Sequence, residues 1–405
     1  MIITITDDFD PDKIADSGQC FRWEKKDDST YRIIAGESCL YLTEEGSGRY
    51  ELSCTEDEYR DFWQNYFDLQ NNYRHIRERI DPKEDPFLWR AAEREKGIRI
   101  LRQDPWEMLI TFIISQNKNI PAIKQSVEML AKRCGKKMTD SRGAEYYAFP
   151  EPDAVAALSE HELLDCKLGY RWKYVHAAAE AVSNGNIDLD SLLAADEDST
   201  LTALTGLFGV GVKVASCVSL FGLHHTDAFP VDVWMKRVLK EQYPKGYPYE
   251  KYAPYNGICQ QFMFAYYRHL NNQPVAEYLP QEFSVCKVKN YSGIDMEQPF
   301  VFTGCTDEEK SLVCPAGIVP KNTTSREDGW RAFRICGELD FSLIGILAGI
   351  SQAMAAAGIG IFAISTYNTD YVLVKEKDFK KAKKTFADAG YRVVKKQEKQ
   401  GKKEE

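Results

Sequence analysis

The sequence lacks any apolar run of the roughly 18 residues that a membrane-spanning helix needs. Its start, "MIITITDDFDPDK", lacks the basic-then-apolar order of a signal peptide. Its 11 cysteines are scattered, with no C-x-x-C pair and no zinc-binding spacing. We therefore expect no membrane anchor, no export, no metal, and reduced thiols in a cytoplasmic protein.

The sequence also has no excess of positive charge. Against 61 Asp and Glu there are 52 Lys and Arg, a formal net charge of −9. This balance argues mildly against a nucleic-acid partner, because phosphate binding depends on Lys and Arg. The acidic excess lies in residues 1–98, however, whereas residues 99–280 are close to neutral. The middle of the chain can therefore still present a local basic face.

The 405 residues are enough for two or three domains. The spacing of the apolar residues changes along the chain and divides it into three parts. Residues 1–98 begin with alternating apolar and polar residues, residues 99–278 have helical spacing, and residues 284–396 mix the two. Residues 397–405 form a charged, solvated tail. The sequence predicts an α+β multidomain protein: an antiparallel β domain, an all-α domain and an α+β domain.

The stretch "GLFGVGVKVASC" (206–217) predicts two helices joined by a tight glycine hairpin. Gly209 and Gly211 can adopt positive φ and let a phosphate approach the backbone N–H groups that start the second helix. A P-loop is excluded, since Lys213 comes one place too late and no Ser or Thr follows it.

Lys213 falls in the first turn of the second helix. The helix dipole and the apolar neighbours Val212 and Val214 both disfavour protonation of its amine. A free amine can attack a sugar carbon, but a lysine here can equally bind a phosphate, and this stretch alone leaves both open. In "DAFPVDVWMKRVL", Asp232 opens another helix. It either only caps that helix or also stabilises positive charge at a sugar.

The hairpin followed by "PVDV" resembles the helix-hairpin-helix base-excision DNA glycosylases, and four more segments are similar, in order, to 8-oxoguanine DNA glycosylases. They are "SGQCFRW" (17–23), "RQDPWEMLITFIISQNKNI" (102–120), "LGYRWKYV" (168–175) and "YNGICQQFMF" (255–264). The resemblance covers about residues 1–275. It implies a bifunctional DNA glycosylase and AP lyase that needs no cofactor and repairs double-stranded DNA containing oxidised guanine.

The same resemblance implies a role for each matching residue. Lys213 is the Schiff-base nucleophile and Asp232 the catalytic carboxylate. Four residues form the pocket for the flipped base: Gly18, whose carbonyl reads the N7 hydrogen of 8-oxoguanine, Cys217, Gln260 and Phe264. Five residues contact DNA: Asn117 and Tyr170, which fill the gap left by the base, Arg171 at the orphaned cytosine, and Gly209 and Gly211 at a phosphate.

The sequence departs from the family pattern at several positions. Lys118 interrupts the asparagine run, and Ala122 stands where a second arginine would contact the opposite base. Phe208 and Val212 replace a proline and a polar residue in the hairpin, and Trp234 replaces a phosphate-binding histidine. With one arginine instead of two, we expect relaxed discrimination of the opposite base. The iron–sulfur ligand set of the endonuclease III branch is missing.

The segment from "GWRAFRICGELD" to "FADAGY" (329–391) resembles a ferredoxin-like ACT domain. Its loop "GELDFSLIGILAGI" (337–350) looks like the place where such domains bind small amino-acid effectors, and residues 284–325 supply a partial second repeat. The alternative is a module that binds nothing and only pairs with another subunit.

Other functions stay open at this stage. The chain can be a glycosylase for a different damaged purine, a non-catalytic helix-hairpin-helix DNA-binding protein, or chiefly an amino-acid sensor. The resemblance implies a cytoplasmic, prokaryotic protein.

Overall fold

The structure is a computed structural model that describes residues 1–272, 274–336, 346–366 and 369–396. It consists of two compact units, Met1–Arg268 and His269–Glu405. The first unit holds a β-rich part followed by a helical part, and the second is a mixed α+β unit. The predicted fold class is therefore confirmed. In the described part of the chain, no helix has both the length and the apolar character needed to cross a bilayer.

The first unit begins with a five-stranded antiparallel sheet in the order β1-β5-β4-β3-β2. Its strands are β1 (Ile2–Thr4), β2 (Trp23–Lys25), β3 (Thr30–Ala35), β4 (Ser38–Gly46) and β5 (Arg49–Leu52), with helix α1 (Pro11–Asp16) between the first two. Ile33, Leu40 and Leu52 are completely buried and pack with Trp63 and Phe67. The alternating pattern forms a sheet because it gives each strand one apolar face for this core.

The rest of the first unit is helical apart from the hairpin of β6 (Lys137–Thr139) and β7 (Glu145–Tyr147). The segment after the sheet comprises α2 (Glu56–Glu58), a π-helical turn (Tyr59–Trp63), α3 (Gln64–Tyr66), α4 (Tyr73–Glu78) and α5 (Pro86–Arg94). The helices up to the glycine hairpin are α6 (Pro105–Ile114), α7 (Ile120–Cys134), α8 (Pro152–Ala156), α9 (Glu160–Asp165), α10 (Trp172–Ser183), α11 (Leu189–Leu192) and α12 (Glu197–Thr205). After it come α13 (Val212–Phe221), α14 (Val233–Gln242), α15 (Tyr249–Tyr252) and α16 (Asn256–Asn272).

Local sequence explains where several of these helices begin. Asp10, Asp85 and Asp104 each precede a proline, and each carboxylate accepts a hydrogen bond from the backbone N–H three residues on. Proline suits the first helical position because its missing N–H would have no partner there. Helices α6 and α13 pack together and bury Leu109 and Val218 completely. The two central helices thus form the core on which the site is built.

A buried carboxylate fixes the junction between the sheet and the helices. Asp68 accepts hydrogen bonds from Tyr73, Asn71 and Arg102 and lies 3.4 Å from Nε2 of His224. Burial opposes its ionisation, but the hydrogen bond and charge of His224, with Asn71 and Arg102, outweigh it and lower the pKa of Asp68 to about 2. The ionised carboxylate therefore stabilises this part of the fold at neutral pH.

The second unit is a sheet in the order β12-β13-β11-β8-β10-β9, with β14 parallel to the first part of β8. Its elements are β8 (Val275–Val288), β9 (Phe302–Cys305), β10 (Lys310–Pro315), β11 (Thr323–Cys336), α17 (Ile346–Ala356), β12 (Ile361–Ser365), β13 (Asp370–Lys375), α18 (Phe379–Asp388) and β14 (Arg392–Lys395). From β11 onward, this is the strand-helix-strand-strand-helix-strand order of an ACT domain.

One feature of the second unit differs from the sequence-based expectation. Residues 275–278, assigned above to the helical domain, begin β8 and pair with β14. The parallel pairing with a distant strand determines this, and no local pattern signals it. Most of the loop expected to bind an amino acid, residues 337–345, and the tail 397–405 lie outside the described residues.

Candidate active site

The glycine hairpin lies between α12 and α13, as predicted. Gly209 has a φ of +82°, and a Cβ there would lie 2.2 Å from the ring of Tyr174. Only glycine combines that backbone conformation with such a close approach. Gln116, in the turn that follows α6, holds the hairpin, since its Nε2 donates to the Gly209 carbonyl at 3.1 Å.

The start of α13 is left open. Gly211 is its N-cap residue, with a φ of −93°, and no side chain caps the first turn. A Cβ at Gly211 would meet nothing within 4 Å. The N–H groups of an uncapped first turn can bind an anion, and the helix dipole adds to the attraction.

Lys213 lies in this first turn and is exposed. Val214 on its C-terminal side is buried, but Val212 is 67% exposed and does not shield the lysine from water. The expectation that both neighbours desolvate the amine is wrong on this point. Val212 faces outward because the first turn of α13 precedes the part of the helix that enters the core.

Asp232 is the N-cap of α14. Its Oδ1 accepts a hydrogen bond of 2.8 Å from the Met235 N–H. The capping function considered for this residue is therefore present. Its carboxylate also lines the same cavity as Lys213.

The cavity has a volume of about 80 Å³ and brings together the two predicted catalytic residues and all four predicted base-pocket residues. Its lining residues are Ser17, Gly18, Phe112, Lys213, Cys217, Phe221, Pro230, Asp232, Gln260, Gln261 and Phe264. Three larger cavities, of about 620, 520 and 430 Å³, are lined by none of the predicted site residues. Chemical composition, rather than size, therefore distinguishes the smaller cavity.

Cys217 forms one wall of the cavity, one turn of α13 beyond Lys213. Burial raises the pKa of its thiol to about 12, with opposing contributions from the nearby charges of Lys213 and Asp232. The thiol is therefore neutral at physiological pH and serves as a small apolar wall rather than a nucleophile.

Gly18 and Phe264 are neighbours in the cavity lining. Gly18 has a φ of +80°, and a Cβ on it would lie 3.9 Å from Cε1 of Phe264. The guanidinium of Arg268 lies 5.5 Å from the centroid of the Phe264 ring. The phenyl ring is thus available as a stacking surface beside the Gly18 backbone.

Gln260 is buried on α16, and its Nε2 donates to the Pro230 carbonyl at 3.1 Å. The adjacent Gln261, which the sequence analysis did not single out, lines the same cavity. Its signal in the sequence is the pair of polar residues in the apolar run "GICQQFMF". Phe112 and Phe221, stacked with ring centroids 5.5 Å apart, form another part of the lining that the sequence analysis missed.

Asn117, Tyr170 and Arg171, the three other predicted DNA-contacting residues, form a separate cluster. Asn117 has a φ of +49°, and its Nδ2 donates to the Tyr170 hydroxyl at 3.3 Å. Tyr170 is exposed, with its ring 4.5 Å from the Arg171 guanidinium. Asn117 and Tyr170 therefore present polar and aromatic groups to solvent.

Arg171 itself is only 8% exposed. Its Nε and Nη2 donate to the carbonyl of Gln116, Nη2 also to that of Asn117 at 3.1 Å, and Nη1 to that of Leu168 at 3.2 Å. In this structure the guanidinium thus supports the turn that carries Asn117. These four hydrogen bonds use four of the five N–H groups of the guanidinium.

An aromatic row connects this cluster to the hairpin. Tyr170 packs edge-on against Tyr174 at 6.0 Å, and Tyr174 packs edge-on against Phe208 at 5.1 Å. Phe208 is 62% exposed. Among the described residues, no group of three or more His, Cys, Asp and Glu side chains is arranged to hold a metal ion.

Comparison with protein-family models gives the same order of domains along the chain as the structure. Residues 1–109 match the family model for the 8-oxoguanine DNA glycosylase N-terminal domain, and residues 110–246 match that for the HhH-GPD superfamily of base excision DNA repair proteins. Residues 325–388 match an ACT domain. The chain is 39% identical over 158 residues to the N-glycosylase/DNA lyase OGG1 of Arabidopsis thaliana, covering 38% of this chain and 43% of the relative.

It is also 34% identical over 190 residues to an N-glycosylase/DNA lyase of Saccharomyces cerevisiae, covering 44% of this chain and 50% of the relative. The chain thus spans about half the length of these curated relatives. Among solved structures, it is similar to the Clostridium acetobutylicum 8-oxoguanine glycosylase/lyase in complex with DNA containing cytosine opposite 8-oxoguanine. That match has 32% identity and a TM-score of 0.61, and covers 67% of this chain and 98% of the other.

A second solved structure, MBOgg1 in complex with a low-affinity DNA ligand, is 35% identical with a TM-score of 0.63. That match covers 67% of this chain and 96% of the other. Since nearly the whole of that protein aligns at this identity, and two consecutive family models match the same region, the chain belongs to the 8-oxoguanine DNA glycosylase family and carries an additional ACT domain.

Proposed function

We propose that the protein excises 8-oxoguanine from duplex DNA and cleaves the resulting abasic site. The observation that carries this proposal is the single cavity shared by Lys213, Asp232, Gly18, Cys217, Gln260 and Phe264. An amine, a carboxylate and an aromatic surface around one small cavity are the groups that removal of a flipped base requires. Extruding a base costs a few kcal/mol, which stacking and edge hydrogen bonds in the pocket offset.

In the first step, Nζ of Lys213 forms a bond to C1′ of the sugar as the C1′–N9 bond breaks and its electron pair leaves with the base. The Asp232 carboxylate stabilises the positive charge that develops at the sugar and positions the lysine. The amine loses a proton, and opening of the sugar ring gives a protonated imine at C1′.

The imine then makes the C2′ hydrogens acidic. Loss of one C2′ proton forms a double bond to C3′ and expels the 3′-phosphate, so the strand is nicked 3′ to the lesion. Hydrolysis of the imine frees Lys213. Every atom in this sequence comes from DNA, lysine and water, and no oxidant or cofactor takes part.

The surface around the cavity supports duplex binding. The open first turn of α13 and the hairpin around Gly209 suit a backbone phosphate. Asn117 and Tyr170 are suited to fill the gap in the duplex, and Arg171 is suited to contact the opposite base. With Ala122 in place of a second arginine, we propose that the opposite base is read loosely.

Borohydride trapping on a duplex with a single 8-oxoguanine tests the mechanism. The wild-type protein should form a covalent complex, and Lys213→Gln should form none. Lys240→Gln is the matched control. It removes an exposed lysine in the last turn of α14, at the opposite end of that helix from Asp232, and should trap like the wild type. Trapping by Lys213→Gln would contradict the assignment. Binding without cleavage of any lesion duplex would favour a non-catalytic DNA-binding protein, and cleavage of other purine lesions alone would change the substrate.

For the ACT domain we propose a small amino acid as ligand, on the strength of the match over residues 325–388. Thermal unfolding of the full chain with each of the twenty amino acids tests this. A reproducible rise in Tm with one of them supports effector binding. The absence of a rise with any of the twenty supports a module that only pairs with another subunit. A cytoplasmic location and a prokaryotic origin stay predictions.

A further inference from the structure

One residue that lines the cavity shared by Lys213 and Asp232 carries a buried hydrogen-bond acceptor with no partner in the described part of the chain. Gln261 is 3% exposed and lines the cavity next to Gln260. Its Nε2 donates to Oε1 of Gln260 at 3.0 Å, but its own Oε1 is buried and has no hydrogen-bond partner among the described residues. Because an unsatisfied buried acceptor costs free energy, this oxygen is expected to be paired when a ligand occupies the cavity.

The orientation of both amides follows from the chemistry of Pro230. A carbonyl only accepts, so the atom of Gln260 that faces it must be Nε2. Oε1 of Gln260 therefore faces Gln261, whose contacting atom must be the donor Nε2. The remaining atom of Gln261 is then an acceptor. With each NH2 group donating one of these hydrogen bonds, the chain Pro230–Gln260–Gln261 leaves Oε1 of Gln261, and the second lone pair of Oε1 of Gln260, as acceptors for a base.

The structure assigns Gln261 as a second specificity-determining residue, whose Oε1 accepts a hydrogen bond from the exocyclic 2-amino group of the flipped base. This assignment rests on the proposed function. At the same time, Nε2 of Gln261 holds the Gln260 amide with its oxygen available for a second donor, such as N1–H. Guanine-type bases present both donors on the Watson–Crick edge, which is the edge that base-flipping enzymes read.

The arrangement excludes other oxidised purines by their edges. An adenine-type lesion has an unprotonated N1, which would face an acceptor oxygen. A hypoxanthine-type lesion keeps N1–H but lacks the 2-amino group, so Oε1 of Gln261 stays unpaired with it. The substrate class that satisfies both oxygens is therefore a 2-amino-6-oxopurine.

The test compares single-turnover excision of 8-oxoguanine and 8-oxohypoxanthine, each opposite cytosine, because the two bases differ only in the 2-amino group. The wild type should excise 8-oxoguanine about tenfold faster, which corresponds to one hydrogen bond. Gln261→Met keeps the length of the side chain but removes both donor and acceptor. It should slow the reaction with 8-oxoguanine and bring the ratio of the two rates to within about twofold of one.

Gln64→Met, in the segment that follows the N-terminal sheet, is the control and should keep the wild-type ratio. If Gln261→Met excises neither base measurably, the ratio is read as affinity for the two duplexes in a Lys213→Gln background, with and without Gln261→Met. An unchanged ratio in the Gln261 variant, or equal rates in the wild type, overturns the assignment and leaves the proposed function standing. No excision of 8-oxoguanine by the wild type contradicts the proposed function itself.

Discussion

Replacing Asp232 with asparagine should remove most base excision while leaving the fold intact. The carboxylate has two roles in our account: its Oδ1 accepts from the Met235 N–H at 2.8 Å, and its charge faces the cavity shared with Lys213. An asparagine side chain keeps an oxygen at the same position for the cap but carries no charge. The substitution therefore separates the capping role from the electrostatic one.

The expected magnitudes differ for the two roles. Asparagine caps a helix about as well as aspartate, so the unfolding free energy of Asp232→Asn should stay within about 0.5 kcal/mol of the wild type. Asp232→Ala removes the cap acceptor and should cost about 1 kcal/mol. Excision should fall by about 10²–10³-fold in both variants, the range seen when one preorganised group facing developing charge is removed.

Two measurements on the same protein preparations check this: urea unfolding, and single-turnover cleavage of a duplex with 8-oxoguanine. Asp196 is the matched control, because it caps α12 through the Ser199 N–H at 2.9 Å and does not line the cavity. Asp196→Ala should lose a similar amount of stability and keep the wild-type excision rate. A wild-type rate in Asp232→Asn would refute the electrostatic role, and equal stability of Asp232→Asn and Asp232→Ala would refute the cap.

Three further predictions concern other parts of the first unit. Gly209→Ala, which forces a Cβ to within 2.2 Å of Tyr174, should cost at least about 1 kcal/mol and weaken binding to duplex DNA. Gly211→Ala has open space around the new Cβ and changes only the N-cap of α13, so it should lower the Tm by less. Equal Tm values for the two variants would contradict the packing argument. Asp68→Asn should lose about 2 kcal/mol in urea unfolding at pH 7, because the pKa of Asp68 is lowered from 3.8 to about 2 and the carboxylate stabilises the fold above that range. The difference should shrink as pH falls from 4 to 2, and a deficit independent of pH would exclude linkage. Ala122→Arg should raise the preference for cytosine over adenine opposite the lesion by about tenfold, and a wild-type ratio of excision rates opposite the two bases would contradict loose reading of that base.

Sequence patterns predicted the parts of the site that depend on local structure. The position of Asp232 after "FPV" and before a helical period indicated an N-cap, and the structure has one. The glycines between two helical periods indicated a tight turn, and Gly209 has the positive φ that such a turn requires. Caps and turns involve residues close in sequence, so the local amino-acid sequence is sufficient to predict them.

The sequence did not determine which way a side chain faces at a helix end. Residues 212 and 214 are both valine, but only Val214 is buried, because the chain enters the core after the first turn of α13. Arg171 is chemically suited to contact a base, yet it donates four hydrogen bonds to the backbone carbonyls of Gln116, Asn117 and Leu168. These orientations depend on the packing of segments that are distant in the sequence, and so did the pairing of β14 with β8.

The two proposed catalytic residues illustrate how one property of helices can be used in opposite ways. Both lie at helix N-termini, where unpaired N–H groups concentrate positive potential. In α14 the Asp232 carboxylate accepts a hydrogen bond from one of these N–H groups, that of Met235, which fixes the side chain beside the cavity. In α13 the N-cap is Gly211 and no side chain caps the turn, so the potential there is left for a group from outside the protein. A DNA phosphate bound at that turn would bring the neighbouring sugar close to Lys213 in the same turn, so the uncapped helix is the one suited to carry the proposed nucleophile.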